Sequence, residues 1–181
     1  MILVSLPSVF SQILSPSYDI ASPLATTATT VTKSGVPIRI MIPTIDLDAN
    51  VESTGITGAG AMGIPKNPQN VAWYELGPHP GEEGSAVIDG HVNWENGAPA
   101  VFTNLHLLVV GDKVLIEDSD GVTLSFVVTR IATYNFDTYD PEIFISNDGK
   151  ARLNLITCIG IWDKVSKNYS ERLVIFTEKE S

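Results

Sequence analysis

Cys158 is the one cysteine of this 181-residue chain. A lone thiol usually serves as a small buried hydrophobe. It acquires chemistry when a histidine and a charge-stabilising group can meet it. Cys158 ends the run ARLNLITC (151–158), and Gly160 follows two residues later. His91 directly follows Gly90 near the end of the apolar run GSAVIDGHV (84–92), and Arg172 opens the apolar run RLVIFT (172–177). If the strands carrying Cys158 and Arg172 are neighbours, these two residues lie side by side at one end of a sheet. Such a trio supports acyl transfer. A thiolate attacks an amide carbonyl, and an imidazolium protonates the departing amine. A guanidinium hydrogen-bonds the developing oxyanion and favours the thiolate. Spacing alone does not single this trio out, because three histidines and four arginines accompany the thiol.

The remaining candidates have plainer readings. His79 stands between Pro78 and Pro80, as in a rigid surface turn. His106 lies among Leu105, Leu107 and Leu108 and reads as packed. Arg39, Arg130 and Arg152 read as cations on strand faces. Asp112, Glu117, Asp118 and Asp120 cluster around a hairpin; calcium is the alternative to turn geometry there, and turn geometry is preferred. No cofactor and no metal site is therefore expected. Trp94 and Trp162 fall in loops near His91 and Cys158, where exposed aromatics would line a substrate groove.

The elements that must position these residues read as strands. PIRIMIP (37–43) alternates, which places Ile38, Ile40 and Ile42 on one face. Residues 55–70 are rich in Gly, Pro and Asn and read as turns. PAVFTNLHLL (99–108) reads as one short helical turn. The clearest hairpin spans 111–136: Val114 and Ile116 alternate before an Asp-Ser-Asp-Gly turn, and Leu124, Phe126 and Val128 alternate after it. Leu153, Leu155 and Thr157 share a face of the strand that ends at Cys158. Many short strands separated by turns, with no long amphipathic helix, argue for an all-β barrel or sandwich.

Composition limits the function classes. Apolar residues make up 44% of the chain, enough for one domain with a real core. Eleven Lys and Arg against 21 Asp and Glu give a net charge of −10, which disfavours nucleic acid and anionic membrane surfaces as partners. The first 35 residues differ from the rest. An apolar stretch lacking a basic start, MILVSLPSVFSQIL, is followed by a Ser/Thr/Ala/Pro-rich linker. It reads as the remnant of an anchor or as an apolar tail, with the catalytic domain at 36–181.

The run Leu155-Ile156-Thr157-Cys158 resembles the T-L-x-T-C signature of bacterial sortases, with Asn154 at the first position in place of Thr. Gly90-His91 resembles the sortase histidine motif, and Arg172 the arginine that precedes the last apolar strand. The order of the intervening blocks, with Trp73-Tyr74 ahead of them, is most similar to class F sortases. The resemblance covers about Val36 to Thr177 and implies a closed β-barrel of mixed strands with one or two short helices. It implies Cys158 as nucleophile, His91 as general acid and base, Arg172 as oxyanion or substrate-positioning group, and Thr157 in the substrate wall. The position after His91 is often Thr in the family and here is Val92. The implied reaction cleaves the Thr–Gly bond of an LPXTG-like sorting signal through a thioester. The acyl group then passes to an amine, usually of a peptidoglycan precursor. The implied location is the extracytoplasmic cell surface, with membrane contact only through an N-terminal anchor. A hydrolytic cysteine peptidase on the same barrel and an inactive peptide-binding module remain alternatives.

Overall fold

The computed structural model describes residues 34–180 apart from 95, 96 and 139. The N-terminal segment set apart by composition thus lies almost wholly outside the described residues. Eight strands, β1 (Pro37–Ile42), β2 (Leu47–Thr54), β3 (Val71–Tyr74), β4 (Gly84–Asp89), β5 (Lys113–Asp118), β6 (Thr123–Asn135), β7 (Ala151–Asp163) and β8 (Asn168–Lys179), close into a barrel. Their order around it is β1-β2-β3-β4-β7-β8-β6-β5. Two neighbouring pairs, β2 with β3 and β4 with β7, are parallel; the others are antiparallel. Closure leaves no sheet edge to protect.

Alternation builds the core. Ala86 and Ile88 of β4, Leu153 and Leu155 of β7, and Leu173 and Ile175 of β8 face inward, against Val114, Ile116, Phe126 and Val128 of the hairpin. The expected short helix or two takes the form of 3₁₀ turns, at Pro43–Ile45, Leu105–Leu107 and Pro141–Ile143. The last of these lies over the outer face of β8, where Ile143 packs with Val174 and Phe176 beside Ile156.

Two sequence expectations change. Ile40 and Ile42 are fully buried, but Ile38 is 44% exposed. The pairing of β1 with β5 shifts register between Pro37 and Arg39. An extra residue at a bulge reverses the facing of its neighbours, so Pro37 is buried instead. His106 is exposed rather than packed. In its 3₁₀ turn Leu105 and Leu108 share the core side, three residues apart. This leaves the His106 ring outside, its Nδ1 3.0 Å from the Thr103 carbonyl.

Phe102 links the core to the segment that follows β4. It is fully buried, its ring lies under Gly90, and its N–H donates to the His91 carbonyl at 2.9 Å. A Cβ built on Gly90 would come within 2.4 Å of that ring. Truncation by Phe102→Ala is expected to destabilise the fold by about 3–5 kcal/mol. Urea denaturation should give a lower midpoint with an unchanged slope; a loss below 1 kcal/mol would contradict this packing role.

Candidate active site

Cys158 and Arg172 are cross-strand partners in the antiparallel pair β7–β8. Opposed side chains of such a pair stand about 5 Å apart at Cβ, on the same face. Because Leu155 and Thr157 are buried inward, Cys158 faces outward beside Ile156 and Asn154. Neither residue sits at a strand terminus, as their sequence runs suggested. β7 continues to Asp163 and β8 starts at Asn168. The hairpin extends past Cys158 through a register shift between Ile159 and Trp162. Gly160 carries that bulge at φ 88°, a left-handed conformation that favours glycine.

The hairpin tip fixes Arg172. One terminal nitrogen donates to the Tyr169 and Glu171 carbonyls at 3.3 and 3.0 Å, and the other to Asn168 Oδ1 at 2.7 Å. These three bonds hold the guanidinium from one side. The Nε–H and a second terminal N–H accordingly have no partner among the described residues. Cys158 is partly buried, and that burial pushes its thiol above the ordinary range; the Arg172 charge works in the opposite direction.

His91 lies two residues beyond β4, and the parallel pairing brings it to the Cys158 end of the barrel. Asp89 is in register with Ile156, and the Gly90 N–H donates to the Ile156 carbonyl at 3.1 Å. The His91 Nε2 lies 3.1 Å from the Pro65 carbonyl, which can only accept, so this nitrogen is the donor. Nδ1 has no hydrogen-bond partner among the described residues. Trp94 packs its ring edge-on to His91, with centroids 5.1 Å apart. Across from it, Trp162 packs edge-on to Tyr169 at 5.2 Å. Asn93 Nδ2 donates to the Tyr169 hydroxyl at 2.5 Å and ties the His91 segment to the β7–β8 hairpin. Both tryptophans stay well exposed, at 39% and 48%.

Thr157 differs from expectation. Only 2% of it is exposed, and its hydroxyl donates to the Gly90 carbonyl at 2.7 Å. Period-two alternation turns it away from the Cys158 face, so it supports the segment leading to His91 and offers no wall to a substrate. Asn154, the departure from the family signature, is fully buried and donates to the Ile143 carbonyl at 2.7 Å. It anchors the segment between β6 and β7.

Sequence reasoning missed Asp89, Asn93, Asn168 and Tyr169. Asp89 could have been noticed as the one charge in the run GSAVID, placed on the same strand parity as His91. The other three, Asn93 at an isolated bridge and Asn168 and Tyr169 at the start of β8, carried no pattern.

The other charged candidates have structural partners. Arg39 is paired with Asp48, Arg152 with Asp148 and Glu178, and Arg130 stacks 3.6 Å over the Phe176 ring. His79 Nδ1 lies 3.0 Å from the Gly35 carbonyl, and its ring packs on Trp73. Asp118 is buried and accepts backbone N–H groups of Gly35, Asp120 and Val122. Asp112 accepts from Thr44 and Val109. These carboxylates shape turns.

Comparison with known proteins bears on the family and the fold. A family model described as Sortase domain matches residues 40–180. Sortase C1 of Streptococcus agalactiae, solved with MTSET, superposes with a TM-score of 0.62 at 23% identity, over 82% of this chain and 68% of that one. Sortase C-1 from Actinomyces oris gives 0.63 at 22% identity, over 80% and 75%. The lid mutant of sortase A from Corynebacterium diphtheriae gives 0.61 at 23%, over 84% and 74%. No curated protein matches the chain significantly. With the family model spanning most of the chain and the same closed mixed barrel in these structures, the protein belongs to the sortase family of cysteine transpeptidases.

Proposed function

We propose that this sortase cleaves an LPXTG-like sorting signal at Cys158 and transfers the acyl group to an amine. The observation that carries the reading is the placement of Arg172 directly across from Cys158, with His91 delivered to the same end of the barrel by the β4–β7 pairing. The Cys158 thiolate attacks the Thr carbonyl of the Thr–Gly bond, forming a C–S bond and an oxyanion. The unpaired Arg172 donors bond that oxyanion. Collapse breaks the C–N bond, and the His91 imidazolium gives its proton to the departing Gly nitrogen. An incoming amine then adds to the thioester carbon and loses a proton to the now neutral His91. The C–S bond breaks, and thiolate and imidazolium are restored.

Trp94 and Trp162 flank this centre as walls for the peptide, a role their exposure supports. The acceptor is a peptidoglycan precursor or another amine, and the reaction anchors surface proteins at the extracytoplasmic face of the cell. Membrane attachment would come through residues 1–35; among the described residues no helix is long and apolar enough to cross a membrane. The class F likeness rests on Trp73-Tyr74 and the blocks after it, while the compared structures are sortases C and A. Trp73 itself is buried, donating through Nε1 to the Pro78 carbonyl.

The full chain incubated with an LPXTG peptide and oligoglycine should form a thioester at Cys158 and an amine adduct, both visible by mass. Product from Cys158→Ala, or none from wild type, overturns the reading. Product that is indifferent to added amine favours the hydrolytic peptidase. Arg172→Ala should lower kcat about 10²–10³-fold with a smaller change in KM. Asn168→Ala, which frees the guanidinium from its side-chain anchor, should give a milder loss in the same direction. The pH profile of kcat/KM should be a bell, because one group must be deprotonated and the other protonated, with midpoints that belong to the pair. Alkylation of Cys158 by iodoacetamide needs only the thiolate and should rise with pH without a descending limb.

A further inference from the structure

Asp89 is the last residue of β4 and the one charged side chain in that strand. Ala86 and Ile88 face the core, so Asp89 faces outward with Ser85 and Val87. It is in register with Ile156, two residues before Cys158, and Ile156 is in register with Val174, two residues after Arg172. The outer faces of three adjacent strands thus carry a carboxyl, a thiol and a guanidinium, one side-chain step apart along the barrel.

The surroundings of Asp89 are poor in compensation. Among the described residues its carboxyl accepts no hydrogen bond and reaches no cation within ion-pair distance. On its other flank it is paired with Ala72 of β3. Beyond Ala72 lies Glu52 of β2, an anion whose oxygens take the N–H groups of Lys66 and Asn67 and the Asn70 amide. The Lys66 side chain is exposed. His91 is turned to the Pro65 carbonyl. Glu171 lies next to Arg172 on the opposite side of β8. Arg172 is therefore the one guanidinium among the groups that face Asp89, and Cys158 lies between them.

We propose that Asp89 is a positioning residue of the reaction centre, acting as a proton-controlled counterweight to Arg172 that decides how much of the guanidinium charge the Cys158 thiolate receives. The proposal rests on Cys158 and Arg172 acting as described above. Neutral Asp89 leaves the Arg172 field to the thiolate; ionised Asp89 opposes the thiolate and draws on the same guanidinium. Asp89 is half-buried, and that desolvation pushes it up to about 7, with the Arg172 charge pulling the other way. The Asp89 charge in turn adds to the burial that raises Cys158. The two groups titrate as a coupled pair, and the centre changes character near neutral pH.

The test compares wild type with Asp89→Asn, which keeps the shape and removes the charge. Iodoacetamide alkylation of Cys158, followed by mass against pH, needs no sorting signal. It is therefore independent of whether transpeptidation is the true reaction. The thiolate curve of Asp89→Asn should move to lower pH, with alkylation severalfold faster at pH 8 and little changed at pH 5. Superimposable curves overturn the proposal. Stability supplies a second readout. Folded Asp89 holds its proton from the unfolded value of 3.8 up to about 7, so its contribution is full below that window and is lost as pH rises through it. The Tm advantage of Asp89→Asn over wild type should grow across pH 4–7 and level off above. An advantage flat across this range would also overturn the proposal. NMR titration of the Asp89 carboxyl in wild type should place its midpoint near 7, and an ordinary carboxylate midpoint would refute the assignment even if the variant folded poorly.

Discussion

Gly90 is clamped from two successive positions of β7. Its N–H donates to the Ile156 carbonyl, and its own carbonyl accepts the Thr157 hydroxyl. A net hydrogen bond of this kind contributes only about 1 kcal/mol, so its importance here is geometric. Parallel strands cannot be joined by a tight turn, and more than sixty residues of chain separate His91 from Cys158. The clamp turns that long separation into a fixed offset. From it follow the position of His91 at the Cys158 end of the barrel and the contact of Trp94 with the imidazole. It also sets the seat of Gly90 on Phe102, where no side chain would fit.

β7 divides its labour by parity. Its inward residues, Leu153, Leu155 and Thr157, belong to the core or hold Gly90. Its outward residues, Asn154, Ile156 and Cys158, run from a loop anchor through a satellite apolar cluster to the thiol. A one-residue slip would exchange these sets and place the thiol in the core. The buried inner set, with the closed ladder on both sides, makes that slip costly. Stability and site placement thus depend on the same register, and the long β7–β8 pairing carries it without interruption up to the bulge at Gly160.

Much of this was legible in the residues, and the limits are physical. The hairpin around Asp118 and the inward set of β7 followed from alternation, because a half-buried strand leaves a period-two record. Cys158 beside Arg172 was legible as a condition, that their strands pair, and the register fulfils it. Ile38 was misread because a bulge adds a residue without changing composition. Thr157 was misread because a motif position says that a residue matters, without saying which way it points. Asn168 and Asn93 left no pattern: Asn168 Oδ1 accepts from Arg172 four residues on in the same strand, Asn93 reaches Tyr169 in a segment far off in sequence, and neither contact leaves a periodic record.

The electrostatics of the site follow from where it sits. An outward face that leaves Cys158 and Asp89 half-buried is dry enough to raise a thiol and a carboxyl. Arg172 is the charge that opposes both shifts, and its position is set by backbone carbonyls rather than by a carboxylate. Neutral acceptors orient the guanidinium without cancelling its field, whereas an ion pair would spend that field on the partner. The field therefore remains available to whatever negative charge forms at Cys158, in the proposed reaction first the thiolate and then the oxyanion. In the proposed reaction the cation is present throughout while the oxyanion forms only in passing, which is the condition for stabilising a transition state more than the resting enzyme.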